Sequence, residues 1–335
     1  MNQMLPCPRF WAETAAQMKT RFSMLGELMI FLLLNILATL AQSFILSIPM
    51  SVWMVGSQSS SVMEAVLNGD SIEHVAQTLI AGMPDWMSLI PLFAAGTMAA
   101  AAIIYARAFQ KRSLSSMGLR GKAPAAEYLA GFAVGLLLFA AVIAVGTAVG
   151  GFRFVAGAPS GRQWTLCLIA LLGCAVYGAS LELLNRGCFA PSIGGRYPVL
   201  YTLALTSLAP AMIQADGVPF SMPTLNNLLL NLFLGIWVIK RGRLWGACAI
   251  HAAWTFAGSF LFGFAGAGAY SEIHLLEMKL DVYRPLLTGG EYGPQASICV
   301  TVVLLAAIGA VLALRAKDPA PVQQAEPHER PANFL

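Results

Sequence analysis

WTLCLIALLGCAVYGASLELLNRGCFAP, residues 164–191, is an apolar run that ends in charge. It is long enough for a membrane helix, which needs roughly 20 apolar residues to cross the hydrocarbon core. Near its end Glu182, Asn185 and Arg186 place an acid, an amide and a base close together. An ionised side chain at mid-bilayer costs about 2.5–3.5 kcal/mol on insertion scales, so it persists only where it is paired, hydrated or useful. Glu182 and Arg186 are four residues apart, share one helix face and can pair. A purely structural ion pair and a functional site both remain open on this spacing.

The rest of the chain has the same character. Of its 335 residues 58% are hydrophobic and 11% charged, against about 25% charged in soluble domains. The mean hydropathy is +0.70. Eight stretches have spanning length: 24–47, 87–108, 127–150, 164–190, 196–214, 222–239, 244–266 and 294–315. The expected fold is all-α, a polytopic membrane helix bundle of about eight transmembrane helices. Residues 1–23 read as a cytoplasmic or interfacial segment and 24–110 as the first two transmembrane helices. Residues 111–315 read as a six-helix core, and the Pro-rich polar tail 316–335 as disordered. Residues 9–22 suggest a helix lying along the membrane with Phe10, Trp11, Met18 and Phe22 toward lipid. The first 22 residues carry Pro6, Pro8 and charges rather than a short apolar core, so no secretory signal peptide is expected.

Basic residues set the orientation. Of the 20 Lys and Arg residues, Arg186 lies within a span; Arg153, Arg162, Lys279 and Arg284 fall on one side; the other fifteen share the side of the termini. Both termini are therefore expected in the cytoplasm, with the chain in the plasma membrane. The net charge of +4 is a topology signal, and no basic groove with interleaved aromatics points to nucleic acid. The six cysteines form no CxxC pair and read as small apolar packing residues.

The polar groups inside the spans are few. Besides Glu182, Asn185 and Arg186 they are Gln214 and Asp216 at the end of the fifth span, Asn226, Asn227 and Asn231 in the sixth, and His251 and Thr255 in the seventh. Glu27 sits near the start of the first span and is expected to reach the interface. Glu182 lies about eight residues from the cytoplasmic end of its span and His251 about seven from the start of its own, so both sit roughly 10–12 Å deep at 1.5 Å per residue. An acid and an imidazole can thus face each other in one buried cavity. The bland alternative for a lone intramembrane histidine is a hydrogen bond to a neighbouring helix.

Four segments in this order and spacing carry a family resemblance: RSLSSMGLR (112–120), LELLNRG (181–187), LGIWVIKRGRLWGACAIHAAWTFAG (234–258) and LLTGGEYGPQAS (286–297). Together they resemble the CaaX-protease and bacteriocin-processing (CPBP, or Abi) family of intramembrane endopeptidases, over about Arg112 to Leu314. The resemblance implies a glutamate acting as general base on water, surrounded by two histidines and an asparagine, with or without zinc. A glutamate must lie near the water and polar groups near the oxyanion in either version.

Several motif positions are changed here. In the family's Glu-Glu-x-x-x-Arg motif the catalytic acid is the first glutamate, which here is Leu181; Glu182, Arg186 and Gly187 are kept, and Asn185 stands where an aromatic residue is usual. In Phe-x-x-x-His the match is PAMIQ, with Pro210 for the phenylalanine and Gln214 for the histidine. In His-x-x-x-Asn, His251 is kept and Thr255 replaces the asparagine. Leucine takes no proton and glutamine is a poor metal ligand. On the span boundaries Gln214 falls farther out than His251.

Three functions follow as expectations. The first is a catalytically impaired homologue that binds a membrane protein, a peptide or a prenylated segment. The second is an active endopeptidase using Glu182 as base, with His251 and either Gln214 or Asp216 holding water or a zinc ion. The third is a small-solute transporter or channel whose path is lined by Asn226, Asn227 and Asn231. Membrane lipids are expected partners of all three.

Overall fold

The computed structural model describes residues 4–58, 63–64, 67–71, 82–121, 123–155, 157, 159–215, 218, 220–264, 273–281, 283–317 and 319. A short helix, α1 (Arg9–Gln17), is followed by a helix in each of the eight apolar stretches. These are α2 (Met24–Trp53), α3 (Asp85–Phe109), α4 (Pro124–Ala148), α5 (Gly161–Gly194), α6 (Val199–Ile213), α7 (Met222–Arg241), α8 (Trp245–Phe256, continued by a π turn to Leu261) and α9 (Ile298–Ala313). By length and composition α2, α3, α4, α5 and α7 are suited to crossing a membrane, whereas α6 and α9 are shorter apolar helices. Serines open several of them: Ser23, Ser160, Ser221 and Ser297 each accept a bond from a backbone N–H of the first turn, one of the donors a helix start leaves unpaired. Gly242, at φ 68°, ends α7 in the left-handed region and lets the chain reverse into α8.

The core is built around α8, which packs between α4 and α5. Small residues make the approach close. A Cβ at Gly135 would stand 2.6 Å from the Ile250 carbonyl oxygen, and one at Gly178 would stand 2.7 Å from the Ala252 nitrogen. Ala247, Ala249, Ile250, Ala252 and Ala253 are correspondingly sealed. Lipid offers no hydrophobic drive to hold helices together, so such contact supplies the packing energy. On the other flank, the buried Lys240 of α7 donates its Nζ to the carbonyls of Leu312 (2.8 Å) and Leu314 (2.6 Å), capping the end of α9.

The all-α expectation needs one correction. Three short strands, β1 (Phe152–Val155), β2 (Phe262–Phe264) and β3 (Leu276–Leu280), form a sheet in the order β1-β3-β2. β1 and β3 are antiparallel, from Phe152 opposite Leu280 to Val155 opposite Glu277, and β2 joins β3 in parallel. β1 and β3 lie in gaps between apolar runs and β2 at the end of one, and all three are too short to announce themselves by alternation. Phe152, Phe264 and Met278 bury one face of the sheet against the helices.

The termini meet at the other end of the bundle, where Pro8 bridges Pro319. The tail beyond lies outside the described residues. The N-terminal expectation is also corrected: Phe10, Trp11 and Met18 are buried in the protein itself, and only Phe22 of the four is exposed. Trp11 packs on Gly194 at the end of α5, so the apolar face of α1 finds protein rather than lipid. Glu27 too turns inward, buried between Tyr105 Oη (3.3 Å) and Arg196 (3.6 Å) instead of reaching the interface.

Candidate functional site

The polar turn of α5 is where the helix stops being regular. From Leu183 to Phe189 it winds as a π-helix, a local insertion often found at functional sites. The carbonyls of Gly187 and Cys188 accept from Arg112 Nη2 at 3.2 and 3.3 Å. Arg112 is itself buried, and Gln110 Oε1 (2.6 Å) and Ser116 Oγ (3.1 Å) take its remaining donors. The segment before α4 therefore clamps the irregular turn from outside.

Within the turn each polar group reaches a different helix. Arg186 Nη1 donates to both oxygens of Glu182, at 2.8 and 2.7 Å. Arg186 Nη2 donates to the Asn231 backbone oxygen (2.7 Å) and Oδ1 (2.9 Å) on α7. Asn231 Nδ2 donates back to the oxygens of Asn227. Asn185 Nδ2 donates to the Thr206 carbonyl of α6 at 2.9 Å. His251 Nδ1 lies 2.8 Å from Glu182 Oε1. One polar chain thus runs from Asn227 through Asn231, Arg186 and Glu182 to His251, tying α7, α5 and α8 together.

Glu182 is fully buried and its oxygens face donors, so as a carboxylate it accepts the proton of Nδ1–H. This orients the ring and leaves Nε2 as the nitrogen not engaged by Glu182. The Tyr177 ring stands edge-on to the imidazole, 5.8 Å between centroids. His251 borders two cavities. The larger, about 350 Å³, also has Tyr177, Gln214, Asn227, Thr255 and Gln295 in its wall. The smaller, about 170 Å³, has Leu181, Glu182, Gln214 and, from α2, Asn35 and Gln42. Tyr177, Gln214 and His251 belong to both, so the two spaces adjoin. Tyr292, 70% exposed, stands at the edge of the larger one, on the segment that leads into α9.

The residues singled out from sequence therefore converge. Leu181, Gln214, His251 and Thr255 surround the paired cavities, with Glu182 and Arg186 behind the histidine. Gln214 is not stranded outward: just past the end of α6 at Ile213, it lines both cavities together with His251. Asp216 lies outside the described residues. Asn226 also lines the larger cavity and holds the start of α9 through the Gln295 and Ser297 carbonyls, both at 2.9 Å. Tyr177 and the α2 amides were missed; Asn35 and Gln42, seven apart in an otherwise apolar run, carried the signal of one polar stripe.

Zinc does not fit this donor set. Glu182 is engaged by Arg186 and His251 Nδ1 by Glu182, which leaves one imidazole nitrogen and an amide. Among the described residues no three His, Cys, Asp or Glu side chains gather as ligands, fewer than a stable tetrahedral site requires.

A family model described as Rce1-like, type II CAAX prenyl endopeptidase Rce1-like, matches residues 163–257. The matched stretch runs from the first turn of α5 into the end of α8 and holds every motif position around the cavities. No curated protein matches the chain. With its long apolar helices, the chain is an integral membrane protein similar to CaaX-protease-like intramembrane peptidases.

Proposed function

We propose that this chain, similar over residues 163–257 to type II CAAX prenyl endopeptidases, is a catalytically impaired member of that group that binds an apolar or prenylated segment of a membrane partner. The observation that carries this reading is the engagement of Glu182: both oxygens take Arg186, and one also takes His251. A carboxylate so held is a poor base for water. Beside it, Leu181 occupies the place of the family's acid and lines the smaller cavity. The cavities retain the room for a ligand while the groups that activate water are replaced. The protein then crosses the plasma membrane eight times with both termini in the cytoplasm, as the basic residues favour.

The test uses the purified chain in lipid nanodiscs and a fluorescent farnesylated CaaX peptide. The expected result is saturable binding without cleavage, weakened by Leu181→Trp, which fills the smaller cavity. Cleavage that disappears in His251→Ala would overturn the reading.

One observation favours a second reading. Glu182 orients His251 so that Nε2 is the free nitrogen beside the larger cavity, the arrangement of a histidine base positioned by a carboxylate. An active endopeptidase would then use His251 as base and Gln214 or Thr255 as oxyanion donor, and the same cleavage assay decides between the two.

A further inference from the structure

At the end of the bundle where the termini meet, away from the cavities of His251, a separate pocket of about 250 Å³ is walled by Ala123, Ala126, Glu127, Arg241, Arg243 and Lys317. Three cations face one acid. Glu127 pairs with Arg243, Nη1 to Oε2 at 3.4 Å. Arg241 has no carboxylate partner among the described residues: its guanidinium lies 5.5 Å from the Trp237 ring centroid, and its Nε is buried without an acceptor. Lys317 is held there by its backbone, whose N–H donates to the Lys240 carbonyl at 2.8 Å, and its ammonium pairs with no described acid. The pocket also faces the start of α4, whose N-cap residue Ala123 offers no side-chain acceptor to the first turn. Unpaired N–H groups at a helix start favour an anion.

The depth of the pocket identifies what the anion belongs to. Glu127 is in the first turn of α4 and Arg241 in the last turn of α7, the ends of two helices suited to crossing a membrane. Trp237 lies against the Arg241 guanidinium, its buried indole N–H lacking a protein acceptor, and tryptophan concentrates at the headgroup level. We propose that this pocket binds the phosphate of an anionic phospholipid, with Arg241 and Lys317 as its principal ligands and Arg243 shared with Glu127. The site is independent of the peptidase-like cavities.

The test is native mass spectrometry of the full chain, released from dodecyl maltoside micelles doped with phosphatidylglycerol or phosphatidylcholine. One phosphatidylglycerol should be retained in preference to phosphatidylcholine. Removing two charges with Arg241→Gln and Lys317→Gln together should weaken retention about 30-fold, at the usual strength of a basic side chain near an anionic headgroup. Glu127→Gln should strengthen it, an effect that a merely structural role for the cluster does not produce. Arg153→Gln with Lys279→Gln, on the sheet, serves as the control and should change nothing. Equal retention of both lipids, or loss in the control as large as in the Arg241 and Lys317 variant, would overturn the proposal. So would protection of the pocket against thermal unfolding by inorganic phosphate but not by phosphatidylglycerol, since the anion would then be a soluble one.

Discussion

The ion pair at the heart of α5 makes a prediction in which two losses do not add. Replacing Glu182 by Met leaves the Arg186 charge buried with only Asn231 to accept from it. Replacing Arg186 by Met leaves a buried carboxylate with only His251. Breaking a buried pair from one side costs about 3–5 kcal/mol. Changing both to Met removes both charges together, and apolar replacement of a buried pair is often neutral or stabilising by about 1–4 kcal/mol. Against this gain, His251 and Asn231 each lose a partner, at about 1–3 kcal/mol per buried group left unmade. His251 borders a cavity that water can enter, and Asn231 keeps Asn227. The double variant should therefore fall within about 2 kcal/mol of the parent. Each single variant should be clearly worse, giving a coupling energy of at least about 3 kcal/mol. Equilibrium unfolding in mixed dodecyl maltoside and dodecyl sulfate micelles, read by tryptophan fluorescence, measures all four proteins. A coupling below about 1 kcal/mol, the range of exposed pairs, would refute the idea that this pair is dry and structural.

Two further outcomes follow from the packing. Gly178→Leu puts a side chain where the Ala252 backbone stands, one helical turn before Glu182; the variant should part α5 from α8, lose about 3 kcal/mol or more as an overpacked core contact and make His251 accessible to diethyl pyrocarbonate, whereas an unchanged labelling rate would show the contact to be slack. The Glu13 carboxyl is held below its ordinary value of 4.5, first by its hydrogen bond to Arg120, with burial opposing and Arg9 assisting. A carboxyl lowered in the folded state stabilises fully above its unfolded pKa and loses that contribution as pH falls through the folded one. The docking of α1 should thus weaken below about pH 4.5. Thermal midpoints from pH 7 to 3 should show a decline that Glu13→Gln reduces, and superimposable profiles would count against it.

What could be read in the sequence was set by the membrane. Hydrocarbon forces long apolar runs, so every major helix was visible, and it penalises polar groups, so Glu182, Arg186 and His251 stood out. Their meeting at 2.8 Å follows from depth, which residue counting gives well. What escaped detection depends on contacts distant in sequence. The sheet pairs residues 152–155 with 276–280, a register that no local pattern encodes. The π turn at Leu183–Phe189 depends on Arg112 accepting a buried place far from it in the chain. The apolar face of α1 looks the same whether it meets lipid or Gly194. Gln214 was misplaced although the end of α6 was placed within a residue, because depth counted along separate helices does not tell how their ends converge on one cavity.

The strongest test of the reading is to put the chemistry back. Leu181, Gln214 and Thr255 are the three positions at which the chain departs from the acid, histidine and asparagine of the peptidases it resembles, and all three border the cavities that His251 joins. Leu181→Glu places a carboxylate about 100° around α5 from Glu182, clear of the Arg186 pair and in the wall of the smaller cavity. Gln214→His supplies a second imidazole to the space that His251 already borders, and Thr255→Asn a side-chain amide one turn beyond it. If the backbone has kept the geometry and lost only the reacting groups, the triple variant should cleave a farnesylated CaaX peptide where the parent does not. A positioned general base and an oxyanion donor are each worth about 10²–10³-fold, so even partial restoration should be measurable by mass spectrometry of the released tripeptide. Adding Glu182→Gln should then lower stability more than it alters chemistry. A folded triple variant that binds the peptide and leaves it intact would show that the cavities have diverged in shape as well as in side chains. Cleavage by the parent, abolished by His251→Ala, would show that catalysis had never left.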